Sequence, residues 1–502
     1  MNHRHATSII AMTAALSASA AMADVTAADV WSNQQAFYEA MGVSLGGSLT
    51  NGALVAPELN VILPQGIATM QVTTDASVSM IENSDGTVTI GYPSPMSITV
   101  AGGAPGEGSF TLDFTMTHDS YDITASGQPG DITYVSSGQN LRFEPSNLQL
   151  DGTPEIGMTM SGFLSLDSWI GTSQVTEGNL ITYTANSETG LSVAEFSFAV
   201  DDIVSNTSQT TLPLTSAVAL SLPVGGSDPM NLSAALRDGL SVMVESTGEG
   251  SSSESSVTMG GRPMNNQSTT TGPQTAMIRV DETGAVVSAE ASDFDITMNE
   301  PEIFPGDLEF RIDAITAAYD IPLNASEDPQ DFRIATSLTG LTLADTIWNL
   351  FDPAAMLPRD PADISYDVTG IGTNGTDLLD IMGLMQLSGP PAIEVDEVTI
   401  ENLRISAVGA EVTAAGAMTF DWTDFQTIPG IARPEGTVTV NINGANGLMD
   451  TLAAMGLIPE EELMMPRMMM GMFSTPVGDD MLQTVLEVNS EGHVLANGQR
   501  LQ

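Results

Sequence analysis

The chain has 502 residues, 12 Arg and no Lys, 63 Asp plus Glu, 4 His and no Cys, giving a formal net charge of −51. Without Cys there is no disulfide, zinc–thiolate site, iron–sulfur ligation or thiol nucleophile; without Lys there is no Walker A loop, Schiff base or kinase signature. So anionic a surface repels phosphate backbones, which sets nucleic acid aside as a partner, while 42% apolar residues suffice to fold a chain of this length.

The first residues, MNHRHATSIIAMTAALSASAAMAD, have the order of a secretory signal. Arg4 lies in a short n-region, a small-residue apolar stretch runs from Ile9 to Ala21, and Ala21-Met22-Ala23 forms an A-x-A site. The stretch is too short and too rich in Ala and Ser for a span of about 20 residues. This predicts residues 1–23 as a signal peptide cut between Ala23 and Asp24, and a soluble periplasmic protein with no integral membrane segment thereafter. Removing Arg4 leaves 11 Arg against 63 acidic residues. The acidic fraction is ordinary and the cations are depleted, so the charge reads as a solvated surface suited to a salty environment.

From Asp24 to Gly42 the sequence predicts a helix, with Thr26 as N-cap and Val30, Trp31, Phe37, Tyr38 and Met41 at helical spacing. The period then changes to 2. Met70, Val72, Ala76, Val78 and Met80 alternate with polar residues, Asp85-Gly86 marks a turn, and Val88, Ile90 and Tyr92 follow. Met96, Ile98, Val100 and then Phe110, Leu112, Phe114, Met116 continue the pattern, which recurs at Phe196/Phe198, Val218/Leu220/Leu222, Met418/Phe420/Trp422 and Val438/Val440/Ile442. One apolar and one wet face predict a mainly β protein of large twisted antiparallel sheets.

Residues 246–274, rich in Ser, Thr, Gly and Asn, read as a domain linker or a long hairpin excursion. They separate an N-terminal β-rich half, 24–245, from a C-terminal half, 275–502. Ser120-Tyr121-Asp122-Ile123-Thr124 matches Ser365-Tyr366-Asp367-Val368-Thr369, and Asn147-Leu148-Gln149-Leu150 matches Asn402-Leu403-Arg404-Ile405. These strings leave two readings open, an internal duplication or chance recurrence. In the second half helices are expected at 341–351 and 377–385, and a helical hairpin at 447–456 and 460–473 with Pro466 inside its second arm. A strand pair around Glu491-Gly492 and Asn497-Gly498 ends the chain.

Chemistry is sparse. Beyond the signal segment only His118 and His493 remain, with no G-x-S-x-G elbow and no HExxH, so no catalytic triad, metal site or cofactor is expected. Pairs such as Asp201-Asp202 and Asp479-Asp480 are ordinary among 63 acids, and Asn83-Ser84-Asp85-Gly86 lacks the alternating ligands of a calcium loop. The unusual feature is methionine: Met464, Met465, Met468, Met469 and Met472 stand close together in the expected hairpin and offer an apolar binding face, with core filling as the competing reading. An outer-membrane barrel is disfavoured by 5% aromatics and a polar C-terminus.

Two stretches resemble a family. One runs from Pro329-Gln330-Asp331-Phe332 through Leu341-Thr342 and Trp348 to Phe351-Asp352-Pro353 and Leu357-Pro358-Arg359-Asp360-Pro361. The other comprises Pro434-x-Gly436, Asn446-x-Leu448, Met455-Gly456-Leu457, the methionine-rich segment and Asn497-Gly498-Gln499-Arg500-Leu501. Together they resemble the alphaproteobacterial domain of unknown function 2125, most clearly over about 275–502. That resemblance implies an exported β-rich envelope protein and brings no activity, cofactor or catalytic residue. The closing residues are also similar to envelope proteins of the AsmA type, which implies sheets presenting apolar grooves to lipids.

The reading is therefore a non-catalytic envelope protein whose apolar sheet face binds a lipid-like ligand or envelope component; the alternative is a carboxylate-using periplasmic glycan hydrolase. The charge carries a test. At 0.01 M salt the Debye length is about 30 Å, and at about 0.5 M it is a few ångströms, so salt should relieve the repulsion among unpartnered carboxylates. The melting midpoint at pH 7 should rise across a sodium chloride series, more steeply with divalent cations. A flat or falling midpoint would refute this.

Overall fold

The computed structural model describes residues 24–501 apart from 63–67, 105, 107, 152–157, 303, 305, 388–392, 428 and 429; the expected signal peptide, 1–23, lies outside the described residues. The protein is mainly β, and its strands join in one antiparallel sheet. The chain builds the sheet as a meander in which each rung pairs with the rung before and the rung after. Met158–Glu177, for example, pairs back with Asp131–Leu150 and forward with both Leu180–Thr189 and Ser192–Val200. The last two are thus one rung, interrupted at Gly190-Leu191.

The same interruption repeats in neighbouring rungs, and the breaks lie opposite one another. Gly190-Leu191 faces Leu212-Pro213, which faces Glu249-Gly250, which faces Gly272-Pro273, which faces the irregularity at Asp293. Towards the N-terminus the line continues through Asp167 and Asn140 to His118-Asp119. The local causes are visible. Pro213 and Pro273 have no N–H to donate to a ladder. Gly250 has φ 133°, and a Cβ there would stand 2.4 Å from the Thr271 carbonyl oxygen. Asn140 and Asp293 take up left-handed backbone, φ 52° and 54°. This seam divides the sheet into a near lane, containing Leu180–Thr189, Leu214–Pro223, Ser241–Gly248 and Gln274–Asp281, and a far lane, containing Ser192–Val200, Ile203–Thr211, Ser251–Met259 and Arg262–Thr271.

Helix α1, Ala27–Ala40, starts on the expected cap: Thr26 Oγ1 accepts from the Asp29 amide at 3.2 Å, and the Asp29 carboxylate accepts from the Thr26 amide at 3.0 Å. It packs on Val43–Thr50 at the start of the ladder and on Met158–Glu177 and Leu180–Thr189 several rungs later, so the near lane curls around it. Val30 of α1 and Met80, Val88, Ile90, Ala125 and Ile132 of the sheet are all essentially inaccessible in this core. Within it Asn33, fully buried, donates to Glu177 Oε1 at 2.7 Å and accepts from the Tyr134 hydroxyl at 2.8 Å.

Among the described residues five further helices lie in the connections: α2 (Leu232–Arg237), α3 (Asp345–Phe351), α4 (Ile381–Gln386), α5 (Ala445–Ala454) and α6 (Glu460–Phe473). The helical hairpin near the C-terminus is present as α5 and α6. Two other expected helices are shorter than their sequence suggests. Leu341–Leu343 still belongs to the strand Gln330–Leu343, and α4 begins only after Asp380, whose Oδ1 accepts from the Gly383 amide as N-cap. The stretch Met70–Met80, which alternates as one strand in sequence, is two strands, Thr69–Thr73 and Val78–Glu82. The Ser/Thr tract 246–274 is built into the ladder: Ser251–Met259 and Arg262–Thr271 pair with each other and with strands on both sides. As for the matching strings, Tyr366 faces Leu403 directly, whereas Tyr121 faces Gly138 and Leu148 faces Leu112.

At the near-lane rim, connections from distant rungs meet. Leu232 N donates to Leu379 O, Ile381 N donates to Met230 O, and the Arg237 guanidinium pairs with Asp377. Asn324 Nδ2 reaches Glu282 O beside them. The α2 and α4 connections thereby cover the ends of the strands that lie between them.

Replacing Asn33 tests how α1 is held. Asn33→Ala leaves the buried Tyr134 hydroxyl without its acceptor and should destabilise the protein by about 2–3 kcal/mol in a urea melt. A cost near zero would mean that this network does not seat the helix.

Candidate functional site

Side chains alternate across a strand, so the pairing registers define which residues share a face. Tyr183 stacks on Phe37 of α1 with ring centroids 4.8 Å apart, which marks its side of the sheet as the inward one. From Tyr183 the register leads through Leu220, Val242, Val280 and Ala285 to Ile321. Two residues further along each strand it leads through Val218, Val244, Ile278, Val287, Tyr319 and Ile334 to Val368. It then continues by Ile400 or Leu403, Ala414, Val440 and Val438 to Leu486. Along these rows the inward set is Ile, Val, Leu, Ala and Tyr; neighbouring inward positions also bring in Ser187, Ser216, Thr336 and Thr484.

Charge is segregated to the opposite face. Glu188, Glu245, Glu290, Asp320, Asp367, Glu411 and Glu487 all alternate with inward apolar residues and point outward. Most arginines of the C-terminal part sit there too, each against a carboxylate: Arg311 with Asp295 at 2.6 Å, Arg333 with Asp367 at 2.8 Å, Arg404 with Asp363 and Glu411 at 2.7 and 2.8 Å. Arg433 holds Asp421 at 3.1 Å and Asp424 at 3.3 Å. Hydrogen bonds from the Thr423 hydroxyl and amide, together with Arg433, hold the Asp421 carboxyl down to about 2. From Gln274–Asp281 to Met481–Val488 no regularly paired inward position carries a charge.

Beyond α1 this face is covered in part and open in part: Ile312 and Val488 are buried, and the α2 and α4 connections bridge its rim, but other inward residues meet solvent. Under the helix Ile90 and Ile132 are at most 2% exposed, but Ile278 is 43%, Ile364 48% and Ile405 46% exposed. Ile364 and Ile405 face each other across adjacent strands, so their exposure is a property of the face rather than of one side chain. The twelve near-lane rungs from Leu180–Thr189 to Met481–Val488, at about 4.8 Å each, run roughly 50 Å along the sheet. Phe294, beyond the seam, lines the same hollow as Ala276, Ala289, Ile315 and Ala317, so the apolar face crosses from one lane to the other.

The five methionines named from sequence, Met464, Met465, Met468, Met469 and Met472, are all exposed on α6 and are not core. They lie on the helix, apart from the sheet face. The hydrophobic sheet face itself is implied by the sequence alternation, but its individual residues become visible only through the pairing. Acidic pairs are engaged in turns: Asp480 accepts from the Asn446 and Gly447 amides at the start of α5, and Asp201 occupies a hairpin turn at φ 54°. His118 lies at the seam, its Nε2 3.1 Å from Tyr92 O, and His493 lies 3.2 Å from Glu491. Among the described residues no group of three or more His, Asp or Glu side chains is placed to hold a metal, and no helix is long and apolar enough to cross a membrane.

No curated protein and no solved structure matches the chain, so neither comparison carries the AsmA-type likeness. A family model does match. It begins within Arg262–Thr271 and ends with Val494–Ala496, and so takes in the exposed inward residues Ile278, Ile364 and Ile405. The family is described as an uncharacterized protein conserved in bacteria, DUF2125, and its model matches residues 264–496, the C-terminal part of this chain.

Proposed function

We propose that this is an exported, periplasmic envelope protein that works without catalysis, holding a lipid-like ligand on the inward face of its sheet. The observation that supports the reading is the charge-free run of inward residues between Gln274–Asp281 and Met481–Val488, with Ile278, Ile364 and Ile405 left open to solvent. An apolar face of this length is costly to leave in water, since each methylene laid against it gains about 0.8 kcal/mol. Acyl chains match it because they are linear and apolar, and the polar groups among the inward side chains are sparse, Tyr319 and Thr336 bonding each other at 2.9 Å. The outward carboxylates keep the loaded and unloaded protein soluble. The signal segment and its Ala23–Asp24 junction support a location beyond the inner membrane, where the absence of Cys is no handicap for a chain of this size.

Native mass spectrometry of the gently purified protein is the test. The wild type should carry additional mass released by organic solvent as acyl lipid. Ile364→Glu combined with Ile405→Glu should abolish that mass while leaving the circular dichroism spectrum intact, because both positions are half-open and tolerate a polar group. A wild type free of bound lipid, or a double variant that keeps it, would overturn the proposal.

A further inference from the structure

Helix α6 carries a feature that the sheet does not explain. Its sequence is EEELMMPRMMMGMF, and Leu463 is its buried residue, 5% exposed. At about 100° per residue, Met464, Met468, Met472, Met465 and Met469 fill a continuous arc of about 140° on the side opposite Leu463. All five are between 48% and 66% exposed. Arg467, the helix's one cation, is turned away from the arc and paired with Asp450 of α5 at 2.5 Å. Within the arc there is no Leu, Ile, Val or Phe. An apolar docking face would be served by any of these; here every solvent-facing apolar position supplies sulfur.

We propose that this arc is a binding site for a soft monovalent cation of the copper(I) class, ligated by thioethers. Met464, Met465, Met468 and Met469 stand at i, i+1, i+4 and i+5, and Met472 extends the set by one further turn. Residues four apart on a helix have Cβ atoms about 5–6 Å from each other. Three rotatable bonds let their sulfurs converge on one ion from that spacing. Thioether sulfur is a soft, neutral donor that favours copper(I) over calcium, magnesium or zinc. Charge complementarity supplies the attraction the neutral ligands lack. Glu460, Glu461 and Glu462 form the first turn of the same helix, Glu461 falls within the arc three and four residues before Met464 and Met465, and the chain as a whole carries −51. In a chain with no Cys, methionine is the sole source of such sulfur.

The test uses silver(I), a soft cation of the same charge that is not oxidised in air, with the full-length chain labelled at its methionine ε-methyl groups. Titration should shift the resonances of Met464, Met465, Met468, Met469 and Met472 well ahead of the other methionines, and calcium should leave them in place. Replacing all five by Leu keeps the hydrocarbon and the helix but removes the sulfur; silver affinity should fall at least tenfold while the circular dichroism spectrum and any lipid bound to the sheet are retained. Glu461→Gln should weaken binding severalfold in low salt. Silver affinity unchanged in the Leu variant, or shifts spread evenly over all methionines, would overturn the site. Neither result bears on the lipid reading, which is read out on Ile364 and Ile405.

Discussion

The sheet depends on one constraint, that its strands change phase at the same place. On Leu180–Thr189 the inward residues are odd-numbered, Ile181 and Tyr183, whereas on Ser192–Val200 they are even-numbered, Phe196 and Phe198. On the next rung the near lane is even, Leu220 and Leu222, and the far lane odd, Ile203 and Ser205. Each of these rungs therefore slips by one residue at the seam. A slip of one residue turns every following side chain to the other face. If one rung slipped alone, its far half would present apolar residues to water and polar residues to its neighbours. Because the breaks lie opposite each other, the two lanes keep one apolar side between them, and the meander stays in register from rung to rung.

The same alternation reconciles two properties that conflict in composition. A chain with 63 acids and 12 Arg should resist compaction, yet its inward face is as apolar as a protein core. Period-2 alternation places the acids on the outward face, where water and salt screen them, and leaves the inward face to dispersion and burial. The N-terminal rungs close this face on themselves by curling around α1. In the C-terminal part Ile278, Ile364 and Ile405 leave the face open to solvent.

Much of this is legible in single strings. Thr26 and Asp29 announce the start of α1, and Val218/Leu220/Leu222 or Val438/Val440/Ile442 announce strands with one wet face. The Ser-rich stretch Ser251–Met259 is not legible, because Ser has little β preference of its own. It is a strand because Ile203–Thr211 on one side and Arg262–Thr271 on the other offer it matching ladders. The methionines of α6 are visible as a cluster in sequence. Whether they fill a core or face water depends on which arc of the helix meets α5, and Leu463 with Arg467 takes that arc.

By itself, the sequence determined the things that depend on residue type and short spacing: the mainly β class, the N-terminal helix and its cap, the helical hairpin, the missing thiol and amine chemistry, and the resemblance to DUF2125 carried by the C-terminal motifs. Tertiary structure decided what depends on cross-strand pairing. It built the tract at 246–274, readable as a linker or as a hairpin excursion, into the ladder, aligned Gly190, Pro213, Gly250 and Pro273 into one seam, and joined scattered apolar residues into a single face. The physical reason is that alternation along a strand fixes which residues share a side, but not which strand lies next to it. Only the hydrogen-bonded register between strands determines whether those sides add up to one surface.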